Sequence, residues 1–200
     1  MMWRQPVRSL LLIALLFWGC AGSGPLPSYY TLQPPPDTDV HGKDPETAHL
    51  IIGMGPVVLP RYLDRDPIVT RISPNRLKVN ERHRWAGSLQ SDITRVLAAR
   101  LGSLERVKEV LIFPWGTSIE PDLRFRVEIL AFEGRPGKTV TLKAAWSMAP
   151  GSSDQPAVRR VSLIREEVNA DSMEGMVAAM GNALTLLSRE MAAAIAKASP

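Results

Sequence analysis

LRFRVEILAFEGRPGKTVTLKAAWSMAPGSSDQPAVRRVSLIREEV, residues Leu123 to Val168, decides the fold. Three runs rich in Val, Ile, Leu, Phe and Trp, at 123–134, 139–149 and 158–168, are separated by EGRPGK and APGSSDQP. Runs of that composition bounded by Gly, Pro, Ser and Asp read as strands joined by turns. Connections this short return the chain beside itself, so the three strands form an antiparallel meander. A meander with one apolar side needs a second layer to cover that side.

Downstream the period changes from two to about 3.6. Met173, Met176, Val177, Met180, Leu184, Leu187, Met191 and Ile195 fall on one face of a helix, and Asp171 with Glu174 approximates a capping box at its start. The methionines invite a reading as an adaptable apolar surface. Packing against the sheet accounts for the same spacing and is the reading adopted.

Upstream, Leu89, Ile93, Val96, Leu97, Leu101 and Leu104 repeat at helical spacing behind Ser88, an N-cap residue type. The segments 49–59, 68–72, 76–85 and 107–115 carry strand composition. Gly53, Gly55 and Pro56 interrupt the first of these and point to a bulge or an edge. The expected architecture is α+β: a mainly antiparallel mixed sheet with two amphipathic helices packed on one face. A single globular domain spans 49–198.

Residues 20–48 are rich in Gly, Pro, Ser and Asp and read as a tether, with a short edge strand at 28–32. Before it, Arg4 and Arg8 precede an apolar run that ends in LLLIALLFWGC, Leu10 to Cys20. The run is too short for the roughly 20 apolar residues of a spanning helix, so residues 1–19 read as an export signal. Cys20 is the one cysteine in the chain. LFWGC resembles the lipobox of bacterial lipoproteins, which implies that Cys20 is acylated and becomes the N-terminus. The alternative is a general secretory signal cut near Ala21 to Ser23. Ala21 is not the Asp that commonly retains lipoproteins at the inner membrane, which points to the periplasmic face of the outer membrane.

Arg4 and Arg8 leave with the signal, so the 24 basic residues become 22 against 20 acidic ones. No run of like charge interleaved with aromatics remains, which argues against nucleic acid as a partner. His41, His49 and His83 lack ligand spacing, and there is no phosphate-cradling glycine loop, G-x-S-x-G or H-E-x-x-H. Neither a metal nor a cofactor is expected. Asp64, Arg65 and Asp66 cluster in LPRYLDRDP, where an intervening Arg and a following Pro fit a turn better than acid and base chemistry. Arg61, Tyr62, Asp64 and Arg65 in that turn are the candidate partner-binding residues, because Tyr and Arg are enriched at interface anchor points.

YYTL, GPVVLPRYLDRDPIVTR, RWAGSLQSDITRVLAARL, FPW, LKAAW and AMGNALTLLSREMAAAI, in that order over residues 28–197, closely resemble the ABC-type transport auxiliary lipoprotein family, which includes paraquat-inducible lipoproteins. Asp66 and Pro67 depart from the family's pattern, which tends to have Pro and then a polar residue there. The resemblance implies a non-enzymatic outer-membrane lipoprotein, held by its N-terminal lipid, that works with a periplasmic mammalian-cell-entry (MCE) domain protein and an inner-membrane transport component in lipid movement. It leaves homo-oligomer formation open. Two other classes remain: a lipid binder with an apolar pocket between the sheet and the methionine-bearing helix, and an envelope hydrolase, for which no motif speaks.

Overall fold

The meander forms as its turns dictate. In the computed structural model, Arg135 N donates to Thr139 O at 3.1 Å and Lys138 N to Arg135 O at 3.0 Å across the first turn. Gly137 sits there at φ 62°, a conformation that side chains disfavour. Residues 25–34, 47–116, 119–151, 153 and 155–198 are described. The signal segment 1–19, Cys20 and much of the tether 20–48 lie outside them.

Chain order is β1 (Ser28–Tyr30), β2 (Leu50–Val58), β3 (Pro67–Ser73), β4 (Arg76–Trp85), α1 (Leu89–Gly102), β5 (Val107–Ile112), β6 (Leu123–Gly134), β7 (Thr139–Pro150), β8 (Val158–Glu167) and α2 (Met173–Ala198). The eight strands form one mixed sheet. Its long ladders, β6 with β7, β7 with β8 and β3 with β4, are antiparallel. Parallel pairings join β1 to β4, β2 to β5 and β6, and β3 to β6.

β6 is the hub. One edge pairs with β7, and the other is shared: β2 covers 123–128 and β3 meets it at Gly134. The chain between β2 and β3, residues 59–66, therefore sits beside a stretch of β6 that lacks a strand partner on that edge. A register shift between Met54 and Val57 marks the bulge expected from the glycines, with Gly55 at φ 117°.

Alternation decides what each side of the sheet meets. On β7, Val140, Leu142, Ala144, Trp146 and Met148 are buried, while Thr141, Lys143, Ala145, Ser147 and Ala149 are not. Both helices cover the first set's side, α1 against β2 and β5 and α2 against β6, β7 and β8. Met176, Met180, Leu184, Leu187 and Met191 are at most 1% exposed. That burial is the packing reading of the methionine stripe, and it leaves no lipid-sized space along those side chains.

Element ends differ from expectation in small ways. Ser88 caps α1, its Oγ accepting from Ser91 N at 3.3 Å. At α2 the capping side chain is Ser172, which accepts from Gly175 N at 3.0 Å, rather than Asp171. β5 stops at Ile112 instead of 115: Phe113 N still donates to Met54 O at 3.0 Å, and Pro114, which has no N–H, cannot extend the ladder.

Candidate functional site

The turn LPRYLDRDP is pinned from inside. Leu63 is buried in the core, and its N–H donates to Pro60 O at 2.9 Å. The half-buried Tyr62 donates its hydroxyl to Glu133 Oε2 at 2.8 Å. Glu133 is itself buried, on β6. Its Oε1 accepts from Arg71 Nε at 2.7 Å and also pairs with Arg71 Nη2, and its Oε2 accepts from Phe132 N at 2.8 Å. A buried carboxylate needs such partners, and a fork of guanidinium donors suits it best. Burial pushes the Tyr62 phenol well above its usual range, and the hydrogen bond to Glu133 adds to this. Tyr62 thus stays a donor at any physiological pH.

This network fastens the turn to β6: Tyr62 and Arg71 converge on Glu133, next to the one β3 pairing at Gly134. At the end of the turn Asp66 O accepts from Trp85 N at 2.7 Å, and Asp66 Oδ2 pairs with Arg84 Nη2 at 3.2 Å. The remaining residues point away: Arg61, Asp64 and Arg65 are exposed. Asp64 and Arg65 form no ion pair with each other among the described residues, although they are neighbours in sequence. Of the four residues singled out from sequence, then, Tyr62 is a brace, while Arg61, Asp64 and Arg65 are presented to solvent on a rigid mount.

A second constellation was missed. Asp92, buried in the first turn of α1, accepts from Thr31 Oγ1 at 2.9 Å and from Leu32 N at 3.0 Å. Arg95 Nη2 bonds Asp92 Oδ1 at 2.6 Å and Leu32 O at 3.2 Å. Tyr30 OH meets His83 Nδ1 at 2.8 Å, and Leu32 is buried. YYTL, the segment that leads in from the tether, is clasped to the start of α1. The sequence held one signal for this: a carboxylate one turn into a helix at the position that faces inward.

Two other polar groups bear on chemistry. Ser162 is buried, accepts from Trp146 Nε1 at 2.9 Å and donates to Glu190 Oε2, so its hydroxyl is committed to packing the strands against α2. Among the described residues no group of three or more His, Cys, Asp or Glu is arranged to hold a metal ion. Nor is any described helix long and apolar enough to cross a membrane.

The architecture is shared with solved proteins. An uncharacterized protein superimposes with a TM-score of 0.67 at 18% identity, over 85% of this chain and 99% of that one. Protein XCC0632 from Xanthomonas campestris, of family DUF330, does so with a TM-score of 0.63 at 16% identity, over 82% of this chain and 92% of that one. At these identities the likeness is one of fold. No curated protein matches the chain significantly. Residues 30–192 match the model of the ABC-type transport auxiliary lipoprotein component, a span that includes the pinned turn and the tether clasp from Tyr30 onward, and the chain belongs to that family.

Proposed function

We propose that the chain is a non-enzymatic docking subunit, anchored by a lipid on Cys20 to the periplasmic face of the outer membrane, which holds a periplasmic MCE-domain protein of an intermembrane lipid transport system. Family membership supplies the auxiliary lipoprotein role. The observation that favours docking is the turn: Arg61, Asp64 and Arg65 stand exposed on a loop whose other side is fastened by Tyr62, Leu63 and Glu133. Binding residues are commonly loops positioned by a rigid scaffold. A side chain presented this way loses little freedom on association, so more of its contact energy appears as affinity.

The anchor belongs to the same reading. Each buried CH₂ contributes about 0.8 kcal/mol, and two acyl chains hold where one is marginal. The clasp of Thr31 and Leu32 on Asp92 then carries that attachment into the folded domain. In a capture experiment with the cognate MCE-domain protein, Arg61→Glu with Arg65→Glu is expected to abolish retention while thermal melting stays within about 0.5 kcal/mol of wild type, as for exposed substitutions. Retention at wild-type strength by the folded double variant would remove the turn from the interface. Cys20→Ser is expected to release the chain from membranes, and membrane retention of a processed variant would refute lipidation at Cys20.

A further inference from the structure

The side of the sheet that the helices leave uncovered is not flat. β7 turns only small side chains outward along one stretch, Ala145, Ser147 and Ala149, while its neighbours turn out longer ones: Arg124, Arg126 and Glu128 on β6, Arg159 and Val161 on β8. A row of small residues between rows of large ones makes a furrow. It opens into a hollow of about 550 Å³ floored by Ala145 and Ser147, bounded by Val161 and Arg159 on β8 and by Arg126 and Glu128 on β6, and reaching Pro56 and Val58 on β2. Ligand pockets span roughly 300–1,000 Å³. Val58 on β2 and Val161 on β8, at the two ends of the row Val58, Glu128, Ala145 and Val161, are 51% and 64% exposed.

A second, smaller hollow of about 70 Å³ adjoins the first and shares Arg126, Ser147 and Arg159 with it, adding Arg124, Ala149 and Pro156. Arg126, Ser147 and Arg159 are register partners across β6, β7 and β8. Arg124 is steadied by Ser153 O and Pro150 O. Arg126 and Arg159 make no hydrogen bond or ion pair among the described residues. Among the described residues Glu128 lines the apolar hollow and not this notch, whose charged lining there is Arg124, Arg126 and Arg159.

We infer that this face binds a phospholipid, its phosphate between Arg126 and Arg159 and an acyl chain in the furrow over Ala145 and beside Val161. The head and tail chemistry is split as the ligand's is. β7 is hydrogen-bonded on both edges, so the furrow floor offers no free backbone group. An extended peptide lying there would leave its own amides unpaired, which is costly, whereas an alkyl chain has none to satisfy. The β6 and β8 backbones stand about 10 Å apart, two strand spacings, and their side chains narrow that further; a helix of 10–12 Å diameter is too wide to seat. The inference deepens the transport reading by giving the docking domain its own contact with the cargo, and rests on it for the choice of a membrane lipid.

The full-length protein in vesicles of phosphatidylethanolamine and phosphatidylglycerol, doped with a phosphatidylglycerol carrying a diazirine on one acyl chain, tests this. Photolysis is expected to label peptides from 139–150 and 158–167. Arg126→Glu with Arg159→Glu, and separately Ser147→Trp, which fills the furrow without changing charge, should each cut labelling about tenfold, the equivalent of one affinity decade. The same diazirine on a diacylglycerol, which lacks the phosphate, should label weakly. Label elsewhere on the chain, or label unchanged in Ser147→Trp, overturns the proposal, as does displacement by inorganic phosphate as effective as by phospholipid, which would leave an anion site alone. Ser147→Trp losing MCE capture but keeping its label would make the face a protein interface instead. Because capture is read on the same samples, wild-type protein that captures but takes no label defeats only this inference, and protein that takes label but does not capture defeats only the docking.

Discussion

The two sides of one sheet are built from the same strands and have opposite fates. On the closed side, Val140, Leu142, Trp146 and Met148 of β7 interlock with α2 and are at most 3% exposed. On the open side, residues one position along, Lys143, Ala145 and Ser147, meet solvent. The difference teaches where function can reside. The closed side is occupied in holding the domain together, while the open side and the turn at its edge carry side chains whose presence the fold does not require.

The comparison breaks most violently at the closed side. Leu184→Asp or Leu187→Asp forfeits the ~2–5 kcal/mol of a truncated core leucine and adds the cost of a buried carboxylate, against a total stability of ~5–15 kcal/mol. Circular dichroism melts should show loss of the cooperative transition, and a wild-type melt would mean that the seam is open. Glu133→Ala is next. Breaking a buried ion pair costs ~3–5 kcal/mol, and the lower end applies because Arg71 is 39% exposed and water can receive it. Denaturant unfolding measures the loss; Arg61 and Arg65 should also lose their mount, so capture falls even where the domain stays folded.

Asp92→Ala strands the buried Leu32 N–H, at a cost of ~1–3 kcal/mol. Hydrogen exchange should report it locally, with faster exchange at Thr31 and Leu32 and unchanged protection in β7. At the small end, Val161→Asp on the open side is expected to shift stability by less than about 0.5 kcal/mol. A chemical shift or melt perturbation as large as that of a core variant would show that the open side is covered in the folded protein.

Much of this was legible in the sequence, for a physical reason in each case. The meander announced itself because its turns are local and chemically explicit, as at Gly137. Both helices followed from periodicity, and the bulge in β2 from Gly55 and Pro56. The parallel pairings of β1, β2 and β3 were not legible, since no local signal specifies which distant edge a strand will join. Glu133 read as the end of the strand 123–134 entering the turn EGRPGK, yet it is the buried hub that fastens Tyr62 and Arg71; burial of a carboxylate depends on partners 62 and 71 residues away. In the turn itself, residue types pointed to Arg61, Tyr62, Asp64 and Arg65 as a group, and only the fold separates the inward Tyr62 from the outward three.

The claim that the exposed side of this turn meets the MCE-domain partner can be read directly in cells by placing a photo-crosslinking amino acid at position 61 and, separately, at position 161 on the open face. The account predicts a crosslink to the MCE-domain protein from position 61 and none from position 161, where lipid is expected. A partner crosslink from 161 with none from 61 would contradict it and move the docking surface from the turn to the open sheet.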